Sequence, residues 1–159
     1  MNIDFYERIW MWASAAIITM FISVIGVSAL AYGWHPPSHV ETIDPAKVFT
    51  DPRFSRLGLT ITLPDGTIEV QMVGLMFAFA PNEVRVPAGR PIRFRLTSGD
   101  VTHGFMIAGT NANTMLVPGY ISQLTTTFPR AGDYLIVCHE FCGNGHHVMA
   151  GRIIVEDAK

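Results

Sequence analysis

Apolar side chains run from Ile9 to Tyr32 without a single charge among them. As a helix these 24 residues reach about 36 Å, enough to cross a bilayer with some tilt. Trp10, Trp12, Tyr32 and Trp34 stand at the two ends, where an aromatic belt meets the membrane surface. A cleaved signal peptide is the competing reading, helped by Ala29-Leu30-Ala31. Against it, the apolar run is longer than a signal core and the leader holds one basic residue, Arg8. The pattern predicts an N-terminal segment, 1–34, with one uncleaved transmembrane helix at about 9–32.

The pattern then changes twice. Residues 35–54 hold Pro36, Pro37, Pro45 and Pro52 and show no apolar periodicity, which predicts a linker. From residue 55 to 159 the period is that of strands. Leu59–Leu63 alternates and ends at the turn signal Pro64-Asp65-Gly66; Ile68–Phe79 supplies one or two runs; Glu83–Val86 leads to Pro87-Ala88-Gly89. Ile92, Phe94 and Leu96 alternate with Arg93 and Arg95, the mark of a strand with one wet face. Short runs continue at Gly104–Ile107, Ile121–Phe128, Tyr134–Val137 and Gly151–Glu156. Many short strands at this spacing predict a mainly β domain, an antiparallel sandwich.

Composition excludes little beyond polyanion partners. The formal charge of the 159 residues is −2, so no nucleic-acid partner is expected. Residues 35–159 carry ten Lys/Arg against eleven Asp/Glu, too even a balance to steer a charged partner strongly.

Chemistry is concentrated in Cys138-His-Glu-Phe-Cys142-Gly-Asn-Gly-His146-His-Val-Met149, which holds both cysteines of the chain. Thiolate, imidazole and thioether donors favour copper over magnesium or calcium. A mononuclear blue-copper site uses one thiolate, two histidines and a weak axial methionine, so this loop has one thiolate too many. The surplus is accounted for if both sulfurs bridge two copper ions. Other readings stay open. A disulfide suits an exported domain but leaves His146 and Met149 unexplained. A Cys2His2 zinc site fits the spacing but has no use for a thioether. Met149 could also be a core residue alone.

The pattern Cys-x-Glu-x-Cys-x-x-x-His-x-x-Met resembles the CuA loop of subunit II of haem-copper cytochrome c oxidases, and Asp100-Val101-Thr102-His103 resembles that family's upstream histidine segment. The resemblance implies a Greek-key cupredoxin domain holding two copper ions. It implies that Cys138 and Cys142 bridge both metals, that His103 and Met149 complete one, and that His146 and the backbone carbonyl of Glu140 complete the other. The implied role is the subunit where electrons enter. Cytochrome c or a small copper protein is the donor, and a haem-bearing subunit I reduces oxygen. The implied location is a bacterial or archaeal cell membrane, N-terminus in the cytoplasm and copper domain on the periplasmic or outer side. Charge does not help with orientation, since Lys47, Arg53 and Arg56 follow the helix while Arg8 precedes it.

Tyr6-Glu7-Arg8-Ile9-Trp10 resembles the helix start of B-type oxidases with a one-helix subunit II, where an acidic residue lies at the mouth of a proton channel. Glu7 is therefore a candidate for proton uptake, against the plain alternative of a solvated carboxylate at a helix N-terminus. Asp100 is expected to cap its loop or to accept a hydrogen bond near His103. Phe77 and Phe79 resemble aromatics near the centre in related subunits and are expected in the core. His139 and His147 adjoin the ligands but have no place in the pattern. Two other functions remain compatible: the CuA subunit of a haem-copper nitric oxide reductase, and a membrane-tethered cupredoxin that carries electrons with no oxidase partner.

Overall fold

The computed structural model describes residues 4–32 and 41–157. The chain divides into two compact units, residues 1–39 and 40–159. Trp34, His35, His39 and the first part of the expected linker lie outside the described residues.

The first unit is helix α1, Phe5–Tyr32, which begins four residues before the uncharged run. Its start is set by a capping box. Asp4 Oδ1 accepts from the Tyr6 amide at 3.0 Å, and Glu7 Oε2 accepts from the Asp4 amide at 3.3 Å. Large apolar side chains, among them Trp10, Trp12, Phe21 and Leu30, are exposed all round the helix. The hydroxyls of Thr19 and Ser23 are satisfied within the helix, on the carbonyls of Ala15 and Thr19, both at 2.8 Å. A helix apolar on every side, with these two hydroxyls satisfied internally, matches a lipid surround rather than water. It is long and apolar enough to cross a membrane.

Among its described residues the second unit contains eleven strands: β1 (Glu41–Thr42), β2 (Thr60–Thr62), β3 (Ile68–Leu75), β4 (Ala78–Ala80), β5 (Glu83–Pro87), β6 (Pro91–Ser98), β7 (His103–Ile107), β8 (Asn113–Leu116), β9 (Tyr120–Thr127), β10 (Gly132–Val137) and β11 (Ala150–Glu156). One sheet has the order β1-β9-β6-β3-β2, with β4 paired to β3; the other has the order β5-β11-β10-β7-β8. Inward residues of both sheets form the core. Phe79 meets Phe105 edge to face at 5.8 Å, and Phe94 meets the same ring at 5.6 Å. Ile92, Phe94 and Leu96 are buried, as the alternation along β6 requires.

The sandwich is mixed rather than antiparallel. β3 runs parallel to β6, and β5 runs parallel to β11. After β4 the chain crosses to the other sheet as β5 and returns as β6, which brings β6 alongside β3 in the same sense. Periodicity reports which face a residue uses and not the direction of its neighbour, so this was hidden in the sequence.

Residues 41–54, within the span expected as linker, pack onto the sandwich. Two turns of 3-10 helix, Pro45–Thr50 and Pro52–Phe54, are capped by the carboxylates of Asp44 and Asp51. They bury Ile43, Val48 and Phe54 against Val73 and Ile121, on the face of the first sheet away from the main core. Arg95 is covered as a result, and its guanidinium meets Glu41 at 2.6 Å, so the wet face of β6 is dry there. Arg53 bonds to both Glu41 and Asp51, and its hydrogen bonds to Asp51 hold that carboxyl down at about 2.

Candidate metal centre

The loop that carries the chemistry closes the β10–β11 hairpin, whose ladder ends at Val137 opposite Ala150. Cys138 N donates to Met149 O at 3.2 Å, which draws the two ends of the loop together. His146–Val148 forms a turn of 3-10 helix. In that conformation residues three apart eclipse one another. The spacing His146-x-x-Met149 therefore turns both side chains to one point: His146 Nδ1 and Met149 Sδ each lie 3.7 Å from Cys142 Sγ. Cys138 Sγ is 3.9 Å from Cys142 Sγ and 3.2 Å from the Glu140 carbonyl oxygen. Both cysteines are free and buried.

His103 comes from a different part of the sandwich. It is the first residue of β7, which pairs with β10 through Met106 opposite Val137. This register lays His103 beside the path of the loop. Gly104 permits the close approach, since a Cβ there would stand 2.7 Å from His139 Cγ and 2.8 Å from the Glu140 amide. His103 Nδ1/Nε2, Cys138 Sγ and Cys142 Sγ then share one buried cluster, with ligand atoms within 4.8 Å of one another.

Asp100 settles which imidazole nitrogen is available. Its Oδ1 lies 2.7 Å from His103 Nε2. With Nε2–H donating to the carboxylate, Nδ1 carries the free lone pair. Among the described residues, His103 Nδ1 is one of two buried side-chain nitrogen or oxygen atoms with no hydrogen-bond partner; Arg95 Nε is the other. Burying an unpaired nitrogen is costly unless something binds it. Burial pushes the Asp100 carboxyl up, but hydrogen bonds from His103 and from the amides of Met76 and Val101 outweigh it, so Asp100 sits below the ordinary carboxylate value. It is both the loop cap and the histidine partner.

Two thiols, two imidazoles, a thioether and a carbonyl therefore meet at one place. A first-row metal about 2.3 Å from each thiolate, the usual zinc–thiolate distance, fits between sulfurs 3.9 Å apart. Six donors exceed what one tetrahedral zinc takes. The set fits copper, by the softness of its sulfurs and by the unpaired nitrogen aimed among them.

The comparisons with known proteins agree. Residues 61–158 match the family model of the cytochrome c oxidase subunit II periplasmic domain. Cytochrome c oxidase subunit 2 of Thermus thermophilus is 34% identical over 96% of this chain and 92% of that one. The chain belongs to the cytochrome c oxidase subunit II family. Among solved structures, a chain of a haem-copper terminal oxidase dimer superposes with a TM-score of 0.68 at 29% identity, covering 95% of this chain and 99% of that chain. The periplasmic domain of subunit II of cytochrome oxidase from Bradyrhizobium japonicum superposes with a TM-score of 0.53 at 21% identity, over 56% of this chain and 83% of that one, and shares the fold.

The surroundings of this subunit II centre add residues that its motif does not contain. Phe77 was expected in the core, yet it is 36% exposed and its ring lies over Gly143 and Gly145 of the metal loop. Phe79 is the core residue of the pair. Phe141 is 72% exposed and stands edge to face with His146 at 5.9 Å. The sequence signal for Phe141 was a large aromatic between the two cysteines with no apolar partner nearby. His139 and His147 are exposed. Glu140 also faces solvent, so its carbonyl, and not its carboxylate, is the group near the sulfurs. Glu7 belongs to the helix unit, where its carboxylate completes the capping box.

Proposed function

We propose that the site holds two copper ions, with Cys138 and Cys142 bridging both, His103 and Met149 completing one, and His146 and the Glu140 carbonyl completing the other. The observation that carries this is the pair of free, buried thiols 3.9 Å apart with an unpaired histidine nitrogen in the same cluster. One thiolate serves a mononuclear blue-copper centre; the second is accounted for when both bridge two metals. Copper bound there supplies reversible one-electron chemistry.

The chain acts as the subunit of a cytochrome c oxidase at which electrons enter. The rigid part of that task belongs to the protein. β7, β10 and β11 hold the ligands before metal arrives, so little has to move as charge comes and goes. We assign the donor as cytochrome c or a small copper protein and the acceptor as haem in subunit I. Docking is assigned to the apolar surface made by Phe141, Val148, Met76 and Phe77 at the metal end of the sandwich. The helix anchors the chain in the membrane, and we place its N-terminus in the cytoplasm and the copper domain outside, where an exported donor can reach it.

Metal content of the copper-loaded full chain, with its EPR spectrum, tests this reading. Two coppers per chain and a hyperfine pattern of one unpaired electron shared over both are expected. One copper per chain, or zinc retained in preference to copper, overturns it.

A further inference from the structure

The two imidazoles of the centre stand on separate pieces of chain, His103 at the head of β7 and His146 in the hairpin loop. A third piece, the turn between β3 and β4, touches a neighbour of each: Asp100 beside His103, and the glycines that lead to His146. Asp100 Oδ1 accepts from His103 Nε2 at 2.7 Å, and its Oδ2 accepts from the Met76 amide at 2.6 Å. The next residue, Phe77, seats its ring on the loop. A Cβ on Gly143 would stand 3.0 and 3.2 Å from its Cε1 and Cζ. A Cβ on Gly145 would run into the ring, with Cγ at 2.5 Å.

The reason for glycine differs at these two positions. Gly143 has φ +128°, a conformation that itself disfavours other residues. Gly145 has φ −92° and ψ 9°, a backbone open to any residue. The three atoms nearest a Cβ at Gly145 all belong to the ring of Phe77. The ring thus rests directly on the backbone that leads into His146.

We propose that Phe77 is a positioning residue of the copper centre: held through the Met76–Asp100 hydrogen bond and seated on Gly145, it sets where His146 stands relative to His103. The proposal rests on the binuclear reading above. It makes the β3–β4 turn a spacer between the terminal ligands of the two metals. The contact is one of shape and not of charge, so replacing the ring by a small side chain lets the His146 turn shift while His103 keeps its hydrogen bond to Asp100. It also makes the effect of a side chain at residue 145 conditional on the residue at 77.

The test is a double-mutant cycle on the full chain in detergent, read by copper per chain, release of copper to a chelator, and EPR hyperfine splitting. Unfolding of the copper-free form is followed alongside. Gly145→Ala is expected to weaken copper retention roughly 10- to 100-fold and to alter the splitting, as changes in groups that orient ligands do. Phe77→Ala in that background is expected to recover most of the retention, because the ring that the new methyl strikes is gone. Phe77→Ala alone is expected to melt like wild type without copper but to show altered splitting with it. A Gly145→Ala protein with wild-type retention and spectrum, or a double variant no better than Gly145→Ala, overturns the proposal. If Gly145→Ala has no unfolding transition, the single Phe77→Ala variant decides, and an unchanged spectrum there overturns the proposal too. A wild-type chain holding one copper would bring down the binuclear reading first, and the spacer with it.

Discussion

Asp100 and His103 form a 2.7 Å contact between a carboxylate oxygen and Nε2, and that contact leaves Nδ1 of a fully buried histidine without any partner. The pair leaves Nδ1 as the nitrogen free to take a metal. Asp100→Ala removes the acceptor that orients the ring, and a drop in copper affinity of roughly 10- to 100-fold is expected. Asp100→Asn keeps an acceptor for Nε2 but sets an amide group against the Met76 N–H, so its loss should be intermediate. Chelator competition on the full chain measures both; equal affinity for Asp100→Ala and wild type would show that the contact is incidental.

Copper uptake should depend on pH. Burial, and then the neighbouring Cys138 thiol, pushes Cys142 up to about 11 in the metal-free chain. A thiolate ligand must lose its proton, so uptake near neutral pH releases protons and apparent affinity rises with pH. The same shift has a stability counterpart. The folded chain holds the Cys142 proton more tightly than the unfolded one, so this contribution is present below about 9 and lost as pH rises toward about 11. Proton release on copper titration, together with melting of the metal-free chain between neutral and alkaline pH, checks both signs.

Electron acceptance should depend on Phe141 more than on salt. The ring is exposed, lies against His146, and has Val148, also exposed, in the same loop. Losing a central aromatic contact worth about 1–2 kcal/mol weakens docking by a factor of roughly 5 to 30. Phe141→Ala should therefore raise the donor concentration needed for half-maximal rate by about that factor, leaving copper content unchanged. The near-even charge of residues 35–159 predicts a shallow dependence on ionic strength. A steep fall in rate with added salt would point to a charged docking face instead.

Glu7 can be tested without breaking its helix. Glutamine serves the third position of a capping box as well as glutamate does, so Glu7→Gln preserves the bond from the Asp4 amide. If the carboxylate collects protons at the membrane edge, turnover of the assembled oxidase slows while the copper spectrum is unaltered. Unchanged turnover leaves Glu7 as a helix cap.

Much of this molecule is local in the sequence. The donor set is written in twelve consecutive residues plus one histidine, and the uncharged run from Ile9 to Tyr32 reads directly as a membrane span. The alternation of Ile92, Phe94 and Leu96 finds the core face of β6, because a strand's side chains change sides at every residue. His146 and Met149 are equally local, since a 3-10 turn brings residues three apart to one side.

What the tertiary structure decided is non-local. Ile43, Val48 and Phe54 show no period, because each reaches the sheet from an irregular turn, so the packing of 41–54 had no local signature. β8, Asn113–Leu116, is a short edge strand with only Leu116 buried, which gives alternation nothing to repeat. The parallel ladders of β3 with β6 and β5 with β11 follow from the order in which the chain changes sheets. Phe77 and Gly145, 68 residues apart, meet only because a turn from one sheet lies over a loop from the other. Residue type and spacing select which atoms are suited to copper; the packing of distant segments selects which nitrogen is free and how far apart these donors stand.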